Sequence, residues 1–224
     1  MQLPPRILAV GAHADDIEIG CSATLSKALA AGSEVFCCTF SAHDPLEFPN
    51  DDIEGEWRNS MKTIGATHSR LFKLKACKHR EFEEQRHFIL TELEKIRNEF
   101  NPQMVFTHSS FDTNQDHKQV HEEVVRVFKR HCTILGWEFP SNDIVFESRF
   151  FSVIEPHHLE VKYNALQCYV SQKRAFEERT KRVGYTTRGY LDMEYLSSWA
   201  NIRGYQIGEK MAECFEVVRV ISKN

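Results

Sequence analysis

No two cysteines in this 224-residue chain are spaced C-x-x-C, which excludes a zinc ribbon and a thioredoxin-type redox motif. The seven cysteines are an odd number, with Cys37 and Cys38 adjacent, and the pattern reads as reduced thiols of a cytosolic protein. A basic excess is lacking too. The 28 Lys and Arg stand against 32 Asp and Glu, a formal net charge of −4, which removes the electrostatic case for nucleic acid or an anionic membrane. Lys173, Arg174, Arg179, Lys181 and Arg182 are interrupted by acids and carry no aromatic ladder, so they read as a solvated helix face. No apolar run reaches the length of a transmembrane helix, and Ile7–Val10 is too short for a signal-peptide core. The expectation is a cytoplasmic protein without membrane insertion. Internal repeats, low-complexity tracts and linkers are absent, so one domain over residues 1–224 is expected.

What is present begins with Ile7-Leu8-Ala9-Val10, four aliphatic residues followed by Gly11-Ala12-His13-Ala14-Asp15-Asp16-Ile17-Glu18. Such a run reads as a fully buried central strand. Helical spacing then extends from about Ile17 to Ala31, with Gly32 where a C-terminal cap belongs. His13, Asp15, Asp16 and Glu18 therefore fall on the turn leaving the carboxyl end of a strand, the edge where open α/β sheets bind ligands. Three carboxylates within four residues repel one another. A bound cation would remove that cost, so this turn reads as half of a metal site.

Further along, strand and helix patterns alternate. Strands are expected at Glu34 to Phe40, Arg70 to Leu74 and Met104 to Phe106, with helices at Trp57 to Ile64, Glu81 to Phe100 and His117 to His131. Ser41 to Gly55 reads as a loop over the carboxyl edge. In the last third, Ile144 to Ile154 suggests one or two strands, Leu159 to Lys181 is mainly helical, Asp192 to Ile207 is helical with breaks, and Cys214 to Ile221 is a terminal strand. Repeated βα units imply an α/β fold, a Rossmann-like three-layer sandwich with a mostly parallel sheet covered by helices on both faces.

The second half of the site follows the strand at Met104–Phe106. Thr107-His108-Ser109-Ser110-Phe111-Asp112-Thr113-Asn114-Gln115-Asp116-His117 again joins the end of a strand to a helix. Two strand ends thus present histidine and carboxylate to one crevice, a donor set that suits zinc with a position left open for water.

With both segments in view, the chain resembles the PIG-L/LmbE-like zinc deacetylases. His13 to Gly20 is similar to the signature H-P-D-D-x-E-x-G, Asp116-His117 to the end of H-x-D-H, and Arg203 to Phe215 more weakly to the C-terminal pattern. The resemblance implies removal of an acetyl group from an N-acetylated amino sugar, or from its nucleotide- or lipid-linked conjugate, with Zn2+, Fe2+ or another divalent metal as cofactor. It assigns His13, Asp16 and His117 as metal ligands and Asp15 as the base that takes a proton from the water the metal activates. Asp116 becomes the carboxylate orienting the histidine beside it, and Arg58 aligns with a substrate-contacting arginine. Relatives often assemble as trimers or hexamers, so the resemblance admits a homo-oligomer.

Two positions depart from the pattern. Ala14 replaces a proline. Asn114 replaces the leading histidine of H-x-D-H, a catalytic position that supports the oxyanion and proton transfer. An asparagine amide donates a hydrogen bond but carries no proton, which leaves both transfers to Asp15, engages another group such as His108, or lowers activity.

Plainer roles compete at several of these residues. Asp15 suits a helix N-cap, Glu18 a first-turn acid facing the helix dipole, and Arg58 a solvated helix position. His121 lies four residues after His117 and is expected near the site without touching metal. His43, His68, His79, His87, His157 and His158 have no partner motif. Trp57, Phe111 and Trp137 suit either a stacking face for a sugar or the core. A nicotinamide oxidoreductase is disfavoured because Gly11 to Gly20 lacks G-x-G-x-x-G. A catalytically impaired metal- and glycan-binding homologue, or a hydrolase of a different small amide, stays open.

Overall fold

The computed structural model describes residues 2–42, 50–74, 81–183 and 189–222; His43, Cys77, His79 and part of the loop expected after Ser41 lie outside them. The elements run β1 (Arg6–His13), α1 (Asp16–Ala30), β2 (Glu34–Ser41), α2 (Ile53–Ile64), β3 (His68–Leu71), α3 (Glu81–Glu84), α4 (Arg86–Phe100), β4 (Met104–His108) and α5 (Gln115–Phe128). They continue with β5 (Thr133–Trp137), β6 (Phe150–Val153), α6 (Pro156–Gln167), α7 (Val170–Val183), α8 (Met193–Tyr205) and β7 (Ala212–Arg219). Seven strands form one sheet in the order β3-β2-β1-β4-β5-β7-β6. All pairings from β3 to β5 are parallel, and β7 runs antiparallel to both β5 and β6.

The aliphatic run of β1 explains its central place. Ile7 and Ala9 pack with Ile17, Cys21, Leu25, Trp57 and Met61 on one face, against α1 and α2. Leu8 and Val10 pack with Ile89, Leu93, Val120 and Val124 on the other, against α4 and α5. A strand buried on both sides needs apolar residues at every position, not at alternate ones. The chain leaves β1 toward β2 on one side and β4 toward β5 on the other. The strand order therefore reverses between β1 and β4, which opens a crevice at their carboxyl ends.

Several elements differ from the sequence reading. β5, a five-residue strand, directly follows α5 and is too short to announce itself by periodicity. The helix expected from Glu81 to Phe100 breaks at Gln85. The one expected from Leu159 to Lys181 breaks at Cys168–Tyr169, and Tyr169 turns inward at the break, fully buried.

Contacts in the middle of α1 fix the helix that carries the first acidic turn. A Cβ on Gly20 would lie 2.4 Å from the Trp137 ring, so only glycine lets β5 approach this closely. Lys162 Nζ donates to the Ile19 carbonyl and to Glu213 Oε1, each at 2.6 Å, while Glu213 Oε2 accepts the Thr24 amide at 2.7 Å. This buried pair is fully hydrogen-bonded, the condition under which a buried ion pair is tolerated.

Candidate active site

The turn after β1 has an unusual backbone. Asp15 sits at the N-cap position of α1 with φ 87°, and its side chain makes no cap bond. A left-handed non-glycine residue costs on the order of 1–3 kcal/mol unless its surroundings hold it. Here the Asp15 amide donates to the Tyr169 hydroxyl at 3.1 Å, and the Ala14 amide donates to the Ser41 carbonyl at 2.9 Å. Asp16 Oδ2 accepts the His13 amide at 2.6 Å. The Asp15 carboxylate, freed from capping, accepts the Tyr190 hydroxyl at 2.8 Å. Glu18 points away from the crevice, where its Oε1 accepts hydroxyls from Ser60 and Tyr169, each at 2.6 Å.

After β4 the turn is more regular. Asn114 caps α5, its Oδ1 accepting the amides of Asp116 at 2.9 Å and His117 at 3.4 Å. Asp112 Oδ1 accepts the Asn114 amide at 2.8 Å and Oδ2 lies 2.6 Å from His117 Nδ1. Asp116 does not orient the histidine beside it: its Oδ2 lies 2.9 Å from His13 Nε2 instead. Adjacent side chains on a helix diverge by about 100°, so Asp116 cannot reach the His117 ring, and the acid five residues earlier does.

The two turns meet. His13, Asp16 and His117 are 6%, 2% and 2% exposed, and their ligand-type atoms all lie within 4.8 Å of one another. His13 Nδ1 is 3.1 Å from His117 Nε2 and 3.6 Å from Asp16 Oδ2, and His117 Nε2 is 3.4 Å from Asp16 Oδ1. Donors held about 2.0–2.1 Å from one tetrahedral zinc are separated by roughly 3.3 Å. On the outer side, Asp112 faces His117 Nδ1 and Asp116 faces His13 Nε2. With the outer nitrogens engaged by carboxylates, the inner nitrogens and the Asp16 carboxylate could together hold a divalent ion.

Electrostatics point the same way. Burial opposes a charge on His117, but the Asp16 and Asp112 carboxylates outweigh it and push its pKa up to about 10. Burial likewise opposes ionisation of Asp16, yet His117 and His108 beside it hold its carboxyl well below the ordinary range. Burial, reinforced by the Asp16 charge, raises Asp15 well above that range despite the bond from Tyr190. One carboxylate is thus tuned to stay ionised and its neighbour to hold a proton more readily, a division suited to ligand and base.

Other residues from the sequence reading fall elsewhere. Arg58 is exposed on α2, with its guanidinium bonded to Glu54 at 3.0 Å, and is not among the residues brought together. His121 bonds the His108 carbonyl at 2.8 Å. His108 is fully enclosed, stacked on His117 with centroids 3.8 Å apart, and its Nε2 lies 3.2 Å from Asp16 Oδ2. Burial and the neighbouring His117 push it down to about 4, so it is a neutral support rather than a proton carrier. Trp57 and Trp137 are buried in the core, and Phe111 sets its edge against Phe146. The rings beside the crevice are Phe82 against His13 and Phe139 against His117, with Tyr190 next to Phe139. Tyr169 and Tyr190 belong to no motif; the helix break at Cys168–Tyr169 is the local signal for the first.

Residues 8–128 match the model of the PIG-L family, described as GlcNAc-PI de-N-acetylase, and the chain belongs to that family of deacetylases. It is 27% identical over 175 residues to the uncharacterized deacetylase YaiS of Escherichia coli K12, covering 74% of this chain and 90% of that one. Among solved structures, N,N'-diacetylchitobiose deacetylase from Pyrococcus horikoshii superposes with a TM-score of 0.71 at 16% identity, over 96% of this chain and 84% of that one. GalB of Pseudomonas putida KT2440, a 4-carboxy-2-hydroxymuconate hydratase, superposes with a TM-score of 0.69 at 16% identity, over 99% of both. At such identities the likeness shows the fold alone, and the hydratase shows that one fold serves more than one reaction. Among the described residues no helix is long and apolar enough to cross a membrane.

Proposed function

We propose that the protein is a divalent-metal-dependent hydrolase that removes acetyl from an N-acetylated amino sugar or its nucleotide- or lipid-linked conjugate. The observation that carries this reading is the convergence of three acceptor atoms, from His13, Asp16 and His117, beside a carboxylate, Asp15, whose pKa is raised. Zinc or iron(II) held there would polarise the amide carbonyl and acidify water. Asp15 accepts the proton of the attacking water and returns it to the amine nitrogen as the C–N bond breaks, so acetic acid and free amine leave with the proton balance closed. Asp112 and Asp116 keep the His117 and His13 rings turned with their outer N–H groups toward carboxylate. The amide of Asn114 stands where the family histidine would be, and its oxygen is engaged in capping. Both proton transfers are therefore assigned to Asp15. The substrate class comes from the family and the named relatives.

An acetate-release assay over N-acetylated sugars and sugar nucleotides tests this, with Asp15→Asn as control. The expected result is a loss of roughly 10²–10⁴-fold in turnover, with metal content held near one per chain. Acetate release by Asp15→Asn at the parental rate would remove the proposed base. The cap-engaged Asn114 favours one second reading, a binding homologue that holds metal and glycan without turnover; metal uptake with no acetate from any substrate would select it. Release of a product other than acetate would mark a different small amide as substrate.

A further inference from the structure

Asp15 is gripped at two points by hydroxyls from the last third of the chain. Its amide meets Tyr169, and its carboxylate Oδ2 meets Tyr190 at 2.8 Å. Tyr190 reaches it from residues 189–192, just ahead of α8, which are tied down by hydrogen bonds. The Asp192 amide donates to the Gly189 carbonyl at 3.0 Å, and Gln167 Nε2 donates to the Leu191 carbonyl at 2.8 Å. The half-buried phenol ring stands edge-on to Phe176, centroids 5.4 Å apart, and near Phe139 at 6.5 Å. Phe139 in turn packs 5.5 Å from His117. The tyrosine ring thus rests on the same aromatic group, Phe139, that packs on the candidate metal ligand His117.

A carboxylate acting as base works only when it is oriented toward the proton it takes, and a misplacement of about 1 Å can cost on the order of 100-fold. The left-handed backbone at Asp15 withholds the usual cap bond that would orient its side chain. We propose that Tyr190 is the positioning residue that fixes the Asp15 carboxylate for proton transfer, a role that rests on the deacetylase reading above and on the 2.8 Å bond from its hydroxyl. Burial and the nearby Asp15 charge both keep the Tyr190 phenol protonated, so it remains a donor across the working pH range.

Two measurements on the full-length protein test this. In Tyr190→Phe, which keeps the ring and removes only the hydroxyl, kcat should fall roughly 10- to 100-fold, with KM changed by no more than about twofold and metal content unaltered. Independently of turnover, 3-fluorotyrosine placed at position 190 should give a fluorine resonance that moves when Asp15 is changed to Asn. Parental kcat in Tyr190→Phe would reduce the residue to ring packing and overturn the proposal, and so would a resonance indifferent to Asp15→Asn. If the parent protein releases acetate from nothing, the deacetylase reading fails, while the fluorine signal still decides whether Tyr190 holds Asp15.

Discussion

The turn after β4 and the turn after β1 reach the same crevice by different means. Between Asp112 and His117 the partners are local: Asp112 accepts the Asn114 amide and faces the His117 ring, and Asn114 accepts the two amides that open α5. Around Asp15 the partners are remote. Its amide and its carboxylate are held by hydroxyls 154 and 175 residues further along the chain. A turn that satisfies its own donors and acceptors can form before the rest of the molecule is in place. A strained turn that depends on distant side chains forms only when they arrive. The first would supply the proposed ligand His117 with its support built in, and the second the proposed base Asp15 with its orientation imposed from outside.

The largest expected effect falls on the self-contained turn. Asp112→Asn replaces the carboxylate that faces His117 with a neutral amide, and Asp116→Asn does the same beside His13, so each should weaken metal binding by roughly 10- to 100-fold. Equilibrium competition with a chelator measures it, and an unchanged affinity in both would separate these carboxylates from the metal. The same site predicts a pH dependence. In the metal-free protein His117 has a pKa raised from 6.5 to about 10, so a raised folded-state value adds stability that is complete below about pH 6.5 and is lost as pH rises through about 10. At pH 7 His117 therefore holds a proton that a divalent cation must expel, and uptake should release it to an indicator dye. Metal loading without proton release would count against His117 as a ligand.

The remote support is tested by Tyr169→Phe. The substitution leaves the Asp15 amide without its acceptor in a buried, left-handed turn and takes one of two hydroxyl donors from Glu18. An unsatisfied buried donor costs about 1–3 kcal/mol. That loss should appear as a fall in melting temperature of about 2–4 °C per kcal/mol for a chain of this length. A variant as stable as the parent would mean that the turn after β1 holds its conformation without help, and the contrast between the two turns would lapse.

This difference also explains what was legible in the sequence. His13, Asp15, Asp16 and His117 could be found because their spacing and strand-end context are local, and the strands that present them are continuous apolar runs such as Ile7–Val10. Gly32 could be read as a helix end, and it does adopt φ +89° just past α1. Tyr169 and Tyr190 could not be found. A tyrosine near a helix break looks like any other, and only the packing of α6 against α1 and α2, with α8 against α6, brings these two hydroxyls to Asp15. Asp116 is the acid adjacent to the histidine in sequence, but neighbours on a helix diverge by about 100°. Asp112, in the loop just ahead of the α5 cap, is the acid that meets the His117 ring. Arg58 resembles a family position, and its guanidinium bonds Glu54 on the same helix.

Asn114 yields the smallest effect and the sharpest discrimination between capping and chemistry. Asn114→Ala removes the acceptor for the Asp116 and His117 amides and should cost about 1 kcal/mol, the ordinary worth of an N-cap. Asn114→Asp keeps an acceptor oxygen, and its charge at the positive end of α5 should hold stability level or raise it by a few tenths of a kcal/mol. What the aspartate lacks is the amide N–H. With stability restored in Asn114→Asp, any remaining fall in kcat at saturating metal reads the N–H alone, as a donor to the developing oxyanion. Equal turnover in Asn114→Asp and the parent would confine Asn114 to its place as the first residue of a helix.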